Sequence, residues 1–398
     1  MHWAFRQADS LWRSQRRGAH DALNSKTAKE YFRYQETESI IMLDQMPTTP
    51  ENFIDHFQRA STSLTLSIVY GWPPILDSAH PSVLHIDRFS RQLLVAAAPG
   101  PFWVELEYFK WMKYLPRWMC AWRRNAENAF SHDSMILEGL CGDVQKQIDA
   151  GDETKCVAGK LLKVLEHAGN TFEAAWNCAS IYEAGAETTS GQLAWFTQAM
   201  ILYPETQRIA QVELDCIVGP DRLPSFDDYN NLPYIRAIVK EILRWRGVVS
   251  LGVPHKLSQD DHYEGYLLPK DTVCFVNIWS LHRNTVVYGH DSEHFNPGRF
   301  LDVDGKLDSS IPDTRDEGHF SYGFRKRICA GRHVANNSLF IHIAFLLWAF
   351  NISPEINAHG SPNLPDPFQC IEGLTTADVA DIVAQVKAGH GSLFDGQR

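Results

Sequence analysis

The stretch Phe320–His333, FSYGFRKRICAGRH, sets one cysteine, Cys329, between a loop rich in glycine and arginine and the predicted start of a helix. Positive charges and the N-terminal end of a helix both stabilise a thiolate relative to the neutral thiol. A thiolate binds metals, whereas an isolated cysteine is most often a buried structural residue. The make-up of this loop therefore favours a functional thiolate at Cys329.

With Tyr322, Arg327, Cys329 and Gly331 at this spacing, the loop resembles the haem-binding loop of the cytochrome P-450 family. In that family a cysteine thiolate binds the haem iron and favours O–O cleavage. The resemblance implies that Cys329 is the axial ligand, that Arg327 contacts a haem propionate and that Gly331 belongs to the cofactor-binding loop. The family usually has glycine where this chain has Arg325, so we expect strain or crowding there.

A buried ionic network is implied by two further segments. Glu241 and Arg244 lie three residues apart on one face of a predicted helix, a spacing that by itself is typical of a solvated ion pair. Residues 295–300 (FNPGRF) resemble the family's Pro-x-Arg-Phe segment, with Gly298 where glutamate is common. The resemblance implies that Glu241, Arg244 and Arg299 form a network beneath the haem with a structural role.

The segment Ala184–Thr189 (AGAETT), within a long predicted helix over 168–202, resembles the family's oxygen-binding segment. Gly185 leaves room for O₂ over the iron, and a helix can open locally at such a point. Glu187 and Thr188 then form an acid–alcohol pair that can relay protons. The alternative is a stripe of small residues at which two helices cross closely.

Weaker signals concern the haem propionates. Trp12 and Arg16 lie one turn apart on the first predicted helix and match the family's Trp-x-x-x-Arg pair, whose arginine reaches a propionate. His255 occupies a position where the family often has arginine or histidine for the same purpose. A surface Trp–Arg stack and a core histidine are the alternatives.

The composition is that of a globular protein, with 44% hydrophobic and 21% charged residues in 398. A formal net charge of -11 argues against nucleic-acid binding, which needs a basic face. The eight cysteines form no CxxC pair, and Met1–Arg6 resembles neither a signal peptide nor an anchor. Leu339–Phe350, the most apolar stretch, is shorter than the roughly 20 residues that cross a bilayer and predicts a buried helix.

Apolar periodicity predicts a mainly α chain with a small β component between 253 and 276, and an irregular segment from 285 to 330. This fold class agrees with the P-450 resemblance. The predicted helices cover 10–24, 27–45, 51–69, 82–97, 118–149, 168–202, 204–217, 231–246 and 331–350.

The resemblance implies a truncated P-450 haem domain over 1–375, followed by a divergent tail over 376–398 with a polar helix. Relatives of this kind carry roughly a hundred more residues before the present start. We therefore expect the membrane anchor, the first helices and most of the N-terminal β-sheet to be absent. Residues 232–241 and 277–282 look most like filamentous-fungal members, many of which act in secondary metabolism.

The implied function is a haem-thiolate monooxygenase that inserts one oxygen atom of O₂ into a small, largely apolar substrate. Val248, Val249, Leu251 and Val253 are candidate pocket residues by the same resemblance. Two alternatives stay open: an inactive remnant that binds haem without turnover, and a family member with dehydratase or isomerase chemistry. The absent N-terminal part and Arg325 favour the first, and the Glu187–Thr188 pair argues against the second.

The implied partners are O₂ and an NADPH-dependent flavin reductase. A local basic face can steer an acidic partner; its candidate residues are Arg13, Arg16, Arg17, Arg325, Lys326 and Arg332. Residues 102–118 interleave aromatic and basic side chains, which suits peripheral membrane contact, although helix packing around a loop is the favoured interpretation. The resemblance implies the cytoplasmic side of the endoplasmic reticulum, with a cytoplasmic location as the alternative.

Overall fold

The computed structural model describes residues 6–97, 111, 114–152, 156–165, 171–308, 311, 314–356, 361–368 and 385–386. The chain forms two compact units. The first comprises Met1–Glu38 and Asp55–Ser190, and the second comprises Ser39–Ile54 and Gly191–Arg398.

The first unit is built from helices. The helices that lie wholly or partly in it are α1 Ser10–Leu23, α2 Phe32–Gln45, α3 Phe53–Tyr70, α4 Pro81–Ala97, α5 Ala121–Asp149, α6 Val157–Leu165 and α7 Thr171–Leu202. The boundary between the units falls within α2, within the first turn of α3 and within α7.

The second unit adds helices and three small antiparallel sheets. Its helices are α8 Pro204–Ile217, α9 Pro233–Trp245, α10 Ile278–Leu281, α11 Thr285–Tyr288 and α12 Arg332–Ala349. Its strands are β1 His255–Lys256, β2 Asp261–Tyr263, β3 Tyr266–Leu268, β4 Val273–Cys274, β5 Phe350–Asn351 and β6 Gln385–Val386. Strand β1 pairs with β4, β2 with β3, and β5 with β6.

Local sequence explains where several helices begin. Asp9 caps α1, because its carboxylate accepts a hydrogen bond of 2.7 Å from the backbone N–H of Trp12. Pro204 and Pro233 stand in the first turns of α8 and α9, where a missing N–H costs nothing. Glu213 of α8 accepts two backbone N–H groups at the start of α9 and so satisfies part of that helix end.

The core of the second unit surrounds α9 and α12. Helix α12 is buried continuously from Ser338 to Ala349, and α9 buries nine of its 13 residues, including both charged residues Glu241 and Arg244. The long apolar run of α12 is therefore core, as its length predicted. Among the described residues, no helix is both long and apolar enough to cross a membrane.

The prediction of a mainly α chain with a small late β component is confirmed. The helix α6, Val157–Leu165, was missed, and the segment predicted to be irregular, 285–330, contains the short helix α11. The predicted polar helix within 376–398 lies outside the described residues, except for Gln385–Val386, which pairs with β5 as a strand. Most of 102–118 also lies outside them.

Candidate functional site

The loop before α12 presents the sulfur-bearing residue to solvent. Cys329 is exposed, while its neighbours Ile328 and Ala330 are each only 6% exposed and anchor the loop in the core. The backbone N–H of Cys329 donates to the carbonyl of Tyr322 over 2.7 Å, which closes the loop. Helix α12 begins three residues later, at Arg332, with Gly331 as its N-cap. This placement exposes the sulfur near the positive end of a helix.

Arg325 adopts a backbone conformation that glycine normally supplies. It opens the short 3₁₀ turn Arg325–Arg327 with a φ of 47°. For any residue other than glycine this left-handed conformation is unfavourable, because its Cβ lies too close to the following carbonyl oxygen. The side chain itself is exposed. The departure from the family's glycine is therefore accommodated as backbone strain in this turn.

A hydrogen-bonded chain that sequence reasoning missed ties the loop to α12. The hydroxyl of Tyr322 donates to Asn336 Oδ1 over 2.6 Å, and Asn336 Nδ2 donates to Glu317 Oε2 over 2.8 Å. Arg332 Nε lies 3.4 Å from Glu317 Oε1. Burial raises the pKa of Glu317, which is countered by the Asn336 hydrogen bond and by the nearby positive charges of Lys240 and Arg332. No sequence signal marked Glu317 or Asn336.

The structure brings Glu241, Arg244 and Arg299 together. Arg244 forms two hydrogen bonds with Glu241, of 2.6 Å from Nε and 2.7 Å from Nη2, and both side chains are fully buried. Arg299 Nε lies 3.2 Å from Glu241 Oε1 and also pairs with Asp291. Arg244 donates its remaining hydrogens to three carbonyls, those of His282, Ser292 and His294. The buried charges are thus compensated at nearly every polar atom.

Two buried histidines lie beside this network and were also missed. His282 Nε2 accepts the backbone N–H of Phe320 over 2.8 Å, at the start of the cysteine loop. Burial, together with the charges of Arg244 and Arg283, lowers the pKa of His282 to about 3. Burial and the neighbouring His282 also hold the pKa of His319 well below its usual value. Both imidazoles are therefore neutral supports of the loop at neutral pH.

Arg327 carries a positive charge two residues before Cys329 in the chain, and His255 lies at the start of β1. Desolvation lowers the pKa of Arg327, and desolvation with the charge of Arg327 lowers that of His255. His255 is exposed in β1, which argues against its interpretation as a core histidine.

An exposed apolar stretch follows α9. Val248, Val249, Leu251 and Val253 are between 39% and 54% exposed, although they lie in a well-packed unit. Phe275, next to β4, is 44% exposed. Exposed apolar side chains grouped in this way commonly line a ligand site.

The acid and alcohol of the first unit lie on α7. Thr188 is exposed and its hydroxyl donates to the carbonyl of Ala184 over 2.6 Å. Glu187 is partly exposed, and its Oε1 lies 3.4 Å from Gln58 Nε2 of α3. The two neighbouring side chains thus have different partners in this structure.

Gly185 supports a close helix crossing. A Cβ atom added at Gly185 would lie 2.4 Å from Cγ2 of Thr65 in α3, a distance that no side chain tolerates. This contact matches the alternative interpretation of the small residues as a crossing point. Room for O₂ at Gly185 stays a prediction.

Trp12 and Arg16 lie on α1 of the same unit. Trp12 is buried, and Arg16 is partly exposed one turn later. Burial of Trp12 argues against a surface Trp–Arg stack. Arg13 and Arg17 are exposed on the same helix. Each unit therefore carries its own group of the predicted site residues.

The residues of the second unit fit a haem group. An exposed sulfur donor suits iron, the Arg327 cation and the N–H donor of the His255 imidazole suit carboxylates, and the exposed residues around Val249 suit an apolar ring system. Among the described residues, no cluster of three or more His, Cys, Asp or Glu side chains forms a metal site of protein ligands alone. A single sulfur ligand is consistent with an iron whose other ligands come from a macrocycle.

Comparison with known proteins decides the family. The family model described as Cytochrome P-450 matches residues 3–371. The chain belongs to the cytochrome P-450 family. The relatives named below are fungal, as the resemblance predicted, and relatives of this kind identify this P-450 as a monooxygenase, an oxidoreductase that binds haem.

Three of these relatives give the extent of the similarity. A cytochrome P-450 monooxygenase of Armillaria gallica is 45% identical over 377 residues, which cover 94% of this chain and 72% of the relative. Cytochrome P-450 monooxygenase 58 of Postia placenta is 40% identical over 366 residues, covering 92% and 69%. A cytochrome P-450 monooxygenase of Amanita muscaria is 36% identical over 412 residues, covering 92% and 72%.

Proposed function

We propose that this P-450 inserts one oxygen atom of O₂ into a C–H bond of a small, largely apolar molecule. The observation that carries the proposal is the exposed Cys329 in a loop that leads into the N-terminus of α12. A haem bound there supplies the iron at which O₂ is activated. The overall reaction consumes two electrons and two protons, and the second oxygen atom leaves as water.

The proposal gives Cys329 the role of axial ligand. Arg327 and His255 bind haem propionates by hydrogen bonds, that of Arg327 being charge-assisted, and Arg16, one turn after the buried Trp12, has the same role. Gly331 leaves the first turn of α12 without a side chain, and an added Cβ would meet nothing within 4 Å. The network of Glu241, Arg244 and Arg299 gives the second unit a rigid base.

Glu187 and Thr188 deliver protons in this proposal. Thr188 holds a hydroxyl on the exposed face of α7, and Glu187 takes up protons from solvent and passes them towards that hydroxyl. Gly185 provides space beside them. Val248, Val249, Leu251 and Val253 contact the apolar substrate and exclude water from it.

The electron donor in this proposal is an NADPH-dependent flavin reductase with an acidic docking surface. Arg325 and Lys326 are exposed in the second unit, and Arg13 and Arg17 are exposed in the first. Clusters of exposed cations steer acidic partners even when the whole protein is acidic. Arg332 is 17% exposed and pairs with Glu317, so its contribution is smaller than the sequence suggested.

The cellular setting in this proposal is the cytoplasmic face of the endoplasmic reticulum, in fungal secondary metabolism. Trp118 is 76% exposed and Tyr114 is 88% exposed, next to Arg117. Aromatic and basic side chains of this kind suit peripheral contact with a membrane surface. The support for secondary metabolism is the resemblance to fungal members alone.

The test is turnover by the purified chain with a fungal P-450 reductase and NADPH, screened against small apolar molecules in the presence of ¹⁸O₂. A product that carries one ¹⁸O atom supports monooxygenation. A product that forms without NADPH and without ¹⁸O indicates dehydratase or isomerase chemistry. NADPH-independent haem binding without any product indicates a remnant that does not turn over.

A further inference from the structure

Arg246 of the second unit is a buried cation enclosed by aromatic rings. It follows directly after α9 and is only 4% exposed. Positive charge is attracted to the face of an aromatic ring, most strongly where water is excluded. The guanidinium carbon lies between 4.3 and 5.7 Å from the centroids of four rings, those of Trp195, Trp245, Trp279 and Phe368.

The same side chain fixes the backbone at 366–368. Nε and Nη2 of Arg246 donate to the carbonyl of Pro367 over 3.1 and 2.8 Å. Gln198, fully buried in α7, donates to the preceding carbonyl, that of Asp366, over 2.7 Å. Two buried side chains of the second unit therefore hold consecutive carbonyls of this segment.

Phe368 stays exposed although its backbone is held. Its side chain is 68% exposed, and its ring centroid lies 5.3 Å from the guanidinium carbon of Arg246. The backbone N–H of Phe368 donates to Asp366 Oδ1 over 2.8 Å, which fixes the start of the side chain further. An aromatic ring presented in this way can bury apolar area against a ligand at a small cost in conformational entropy.

Arg246 also adjoins the apolar stretch 248–253, which we propose to contact the substrate. The stretch begins two residues after Arg246 in the chain. Within it, the carbonyl of Ser250 accepts the backbone N–H of Trp279 over 3.0 Å. The Trp279 ring in turn lies 4.8 Å from the guanidinium carbon of Arg246. One side chain thus connects the stretch with the segment that carries Phe368.

These contacts require an arginine. A guanidinium group is planar and has five N–H donors, so it can stack on rings and donate to carbonyls at the same time, whereas a lysine ammonium has no plane. Burial, together with the positive charge of Arg283, lowers the pKa of Arg246 to about 10. Arg246 is therefore still protonated at neutral pH and keeps all of its donors.

We propose that Arg246 is a positioning residue that holds Phe368 beside the apolar stretch 248–253, where the Phe368 ring contacts an apolar substrate. The proposal rests on the monooxygenase function proposed above. Arg246 does not touch the substrate and acts through the carbonyl of Pro367 and the ring of Phe368. Phe368 contributes to substrate affinity, and Arg246 determines whether its ring is in place.

The first experiment uses two probes that bind haem iron through the same nitrogen, imidazole and N-octylimidazole, with Kd read from the haem spectrum. Phe368→Ala is expected to weaken binding of the octyl probe about tenfold, because the chain loses an apolar contact, and to leave the Kd of imidazole unchanged. Arg246→Lys should give the same split between the probes. The double variant should lose no more than either single variant, since both changes remove one contact.

A matched control is Arg33→Lys. Arg33 belongs to the first unit and lies 5.6 Å from the ring centroid of Tyr34, and no role is proposed for it. Its Kd values for both probes should equal those of the unmodified chain. An unchanged Kd of the octyl probe in Phe368→Ala, or additive losses in the double variant, would overturn the proposal.

A second experiment needs no haem. Amide hydrogen exchange of the peptide that contains 366–368, followed by mass spectrometry, is expected to be about tenfold faster in Arg246→Lys and unchanged in Arg33→Lys. Unchanged exchange in Arg246→Lys overturns its positioning role whether or not haem binds. Failure of the proposed function is a different result, in which imidazole itself does not bind to the unmodified chain.

Discussion

The cysteine loop and the Glu187–Thr188 segment of α7 differ in how their side chains are held. Around Cys329, the support consists of short, buried contacts, such as those between Glu241 and Arg244 at 2.6 and 2.7 Å. Around Glu187, the contacts from Gln58 are 3.4 Å long and partly exposed. Short, desolvated hydrogen bonds fix a geometry, whereas long, exposed ones allow movement.

This difference matches the tasks that we propose for the two regions. An axial ligand must stay at one position, and a network such as that of Glu241, Arg244 and Arg299 provides a rigid base. A proton relay must change its partners during each turnover. Substitutions should therefore affect stability in the first region and turnover in the second.

Glu241→Ala tests the first half of this comparison and has the largest expected effect on stability. It leaves Arg244 buried without its partner, which costs roughly 3–5 kcal/mol of unfolding free energy. Denaturant unfolding measures the loss. The control is Glu205→Ala, which breaks an exposed pair with Arg208 at the same i,i+3 spacing and should leave stability almost unchanged. Equal effects of the two variants would contradict the difference in burial.

Glu187→Gln tests the second half of the comparison, the role of the Glu187–Thr188 segment in turnover. It removes the acid and keeps the shape of the side chain, so product formation should fall about 100-fold. Denaturant unfolding of the variant should match that of the unmodified chain, since Glu187 is partly exposed. Normal product formation would remove Glu187 from the proposed relay.

Acid should destabilise the region around the cysteine loop through His282. Its pKa is lowered to about 3 in the folded protein, against an ordinary value near 6.5. The unfolded chain therefore binds the extra proton first, and the stability present above pH 6.5 is lost as the pH falls. At pH 5 the loss from His282 is about 2 kcal/mol.

His282→Gln isolates this contribution, because glutamine can accept the Phe320 N–H and does not titrate. Unfolding free energies at pH 7 and pH 5 give the slope for each protein. The variant should lose less stability than the unmodified chain, while the exposed His262→Gln should not differ from it. The pKa of Glu317 is raised, so protonation of Glu317 stabilises the folded chain as the pH falls and opposes the effect of His282. The contribution of His282 is therefore measured by the difference in pH dependence between the unmodified chain and His282→Gln.

Arg325→Gly has the smallest expected effect. Glycine removes the left-handed strain at a φ of 47° and costs some backbone entropy, for a net gain of about 0.5–1 kcal/mol. Lys326→Gly has the same cost in backbone entropy and relieves no such strain, so its free energy of unfolding should fall by a similar amount. Haem content should be kept or raised in Arg325→Gly. A clear loss of haem would mean that Arg325 itself contacts the cofactor.

The sequence predicted elements whose signal is local. The helices α1, α3 and α9 follow from apolar periodicity, and the strands between 255 and 274 follow from turn residues and alternation. Helix α6 was missed because its nine residues lie close to a predicted helix and carry a short pattern. The strain at Arg325 agrees with an expectation based on the glycine that usually stands there.

Contacts between distant segments could not be predicted in the same way. Gln58 is 129 residues from Glu187, and Glu317 is an ordinary loop acid until folding places Asn336 beside it. Such pairings depend on tertiary packing and produce no periodic pattern in the sequence. Glu241, Arg244 and Arg299 were found only because the family resemblance marked them.

The central claim is that Cys329 provides a thiolate ligand to haem. The most direct measurement is the absorption spectrum of the reduced protein with carbon monoxide, for the unmodified chain, for Cys329→Ser and for Cys216→Ser, which alters another exposed cysteine. The claim predicts a strongly red-shifted Soret band in the unmodified chain and in Cys216→Ser, and no such band in Cys329→Ser. An unshifted band in the unmodified chain, or a shifted band that survives Cys329→Ser, would contradict it.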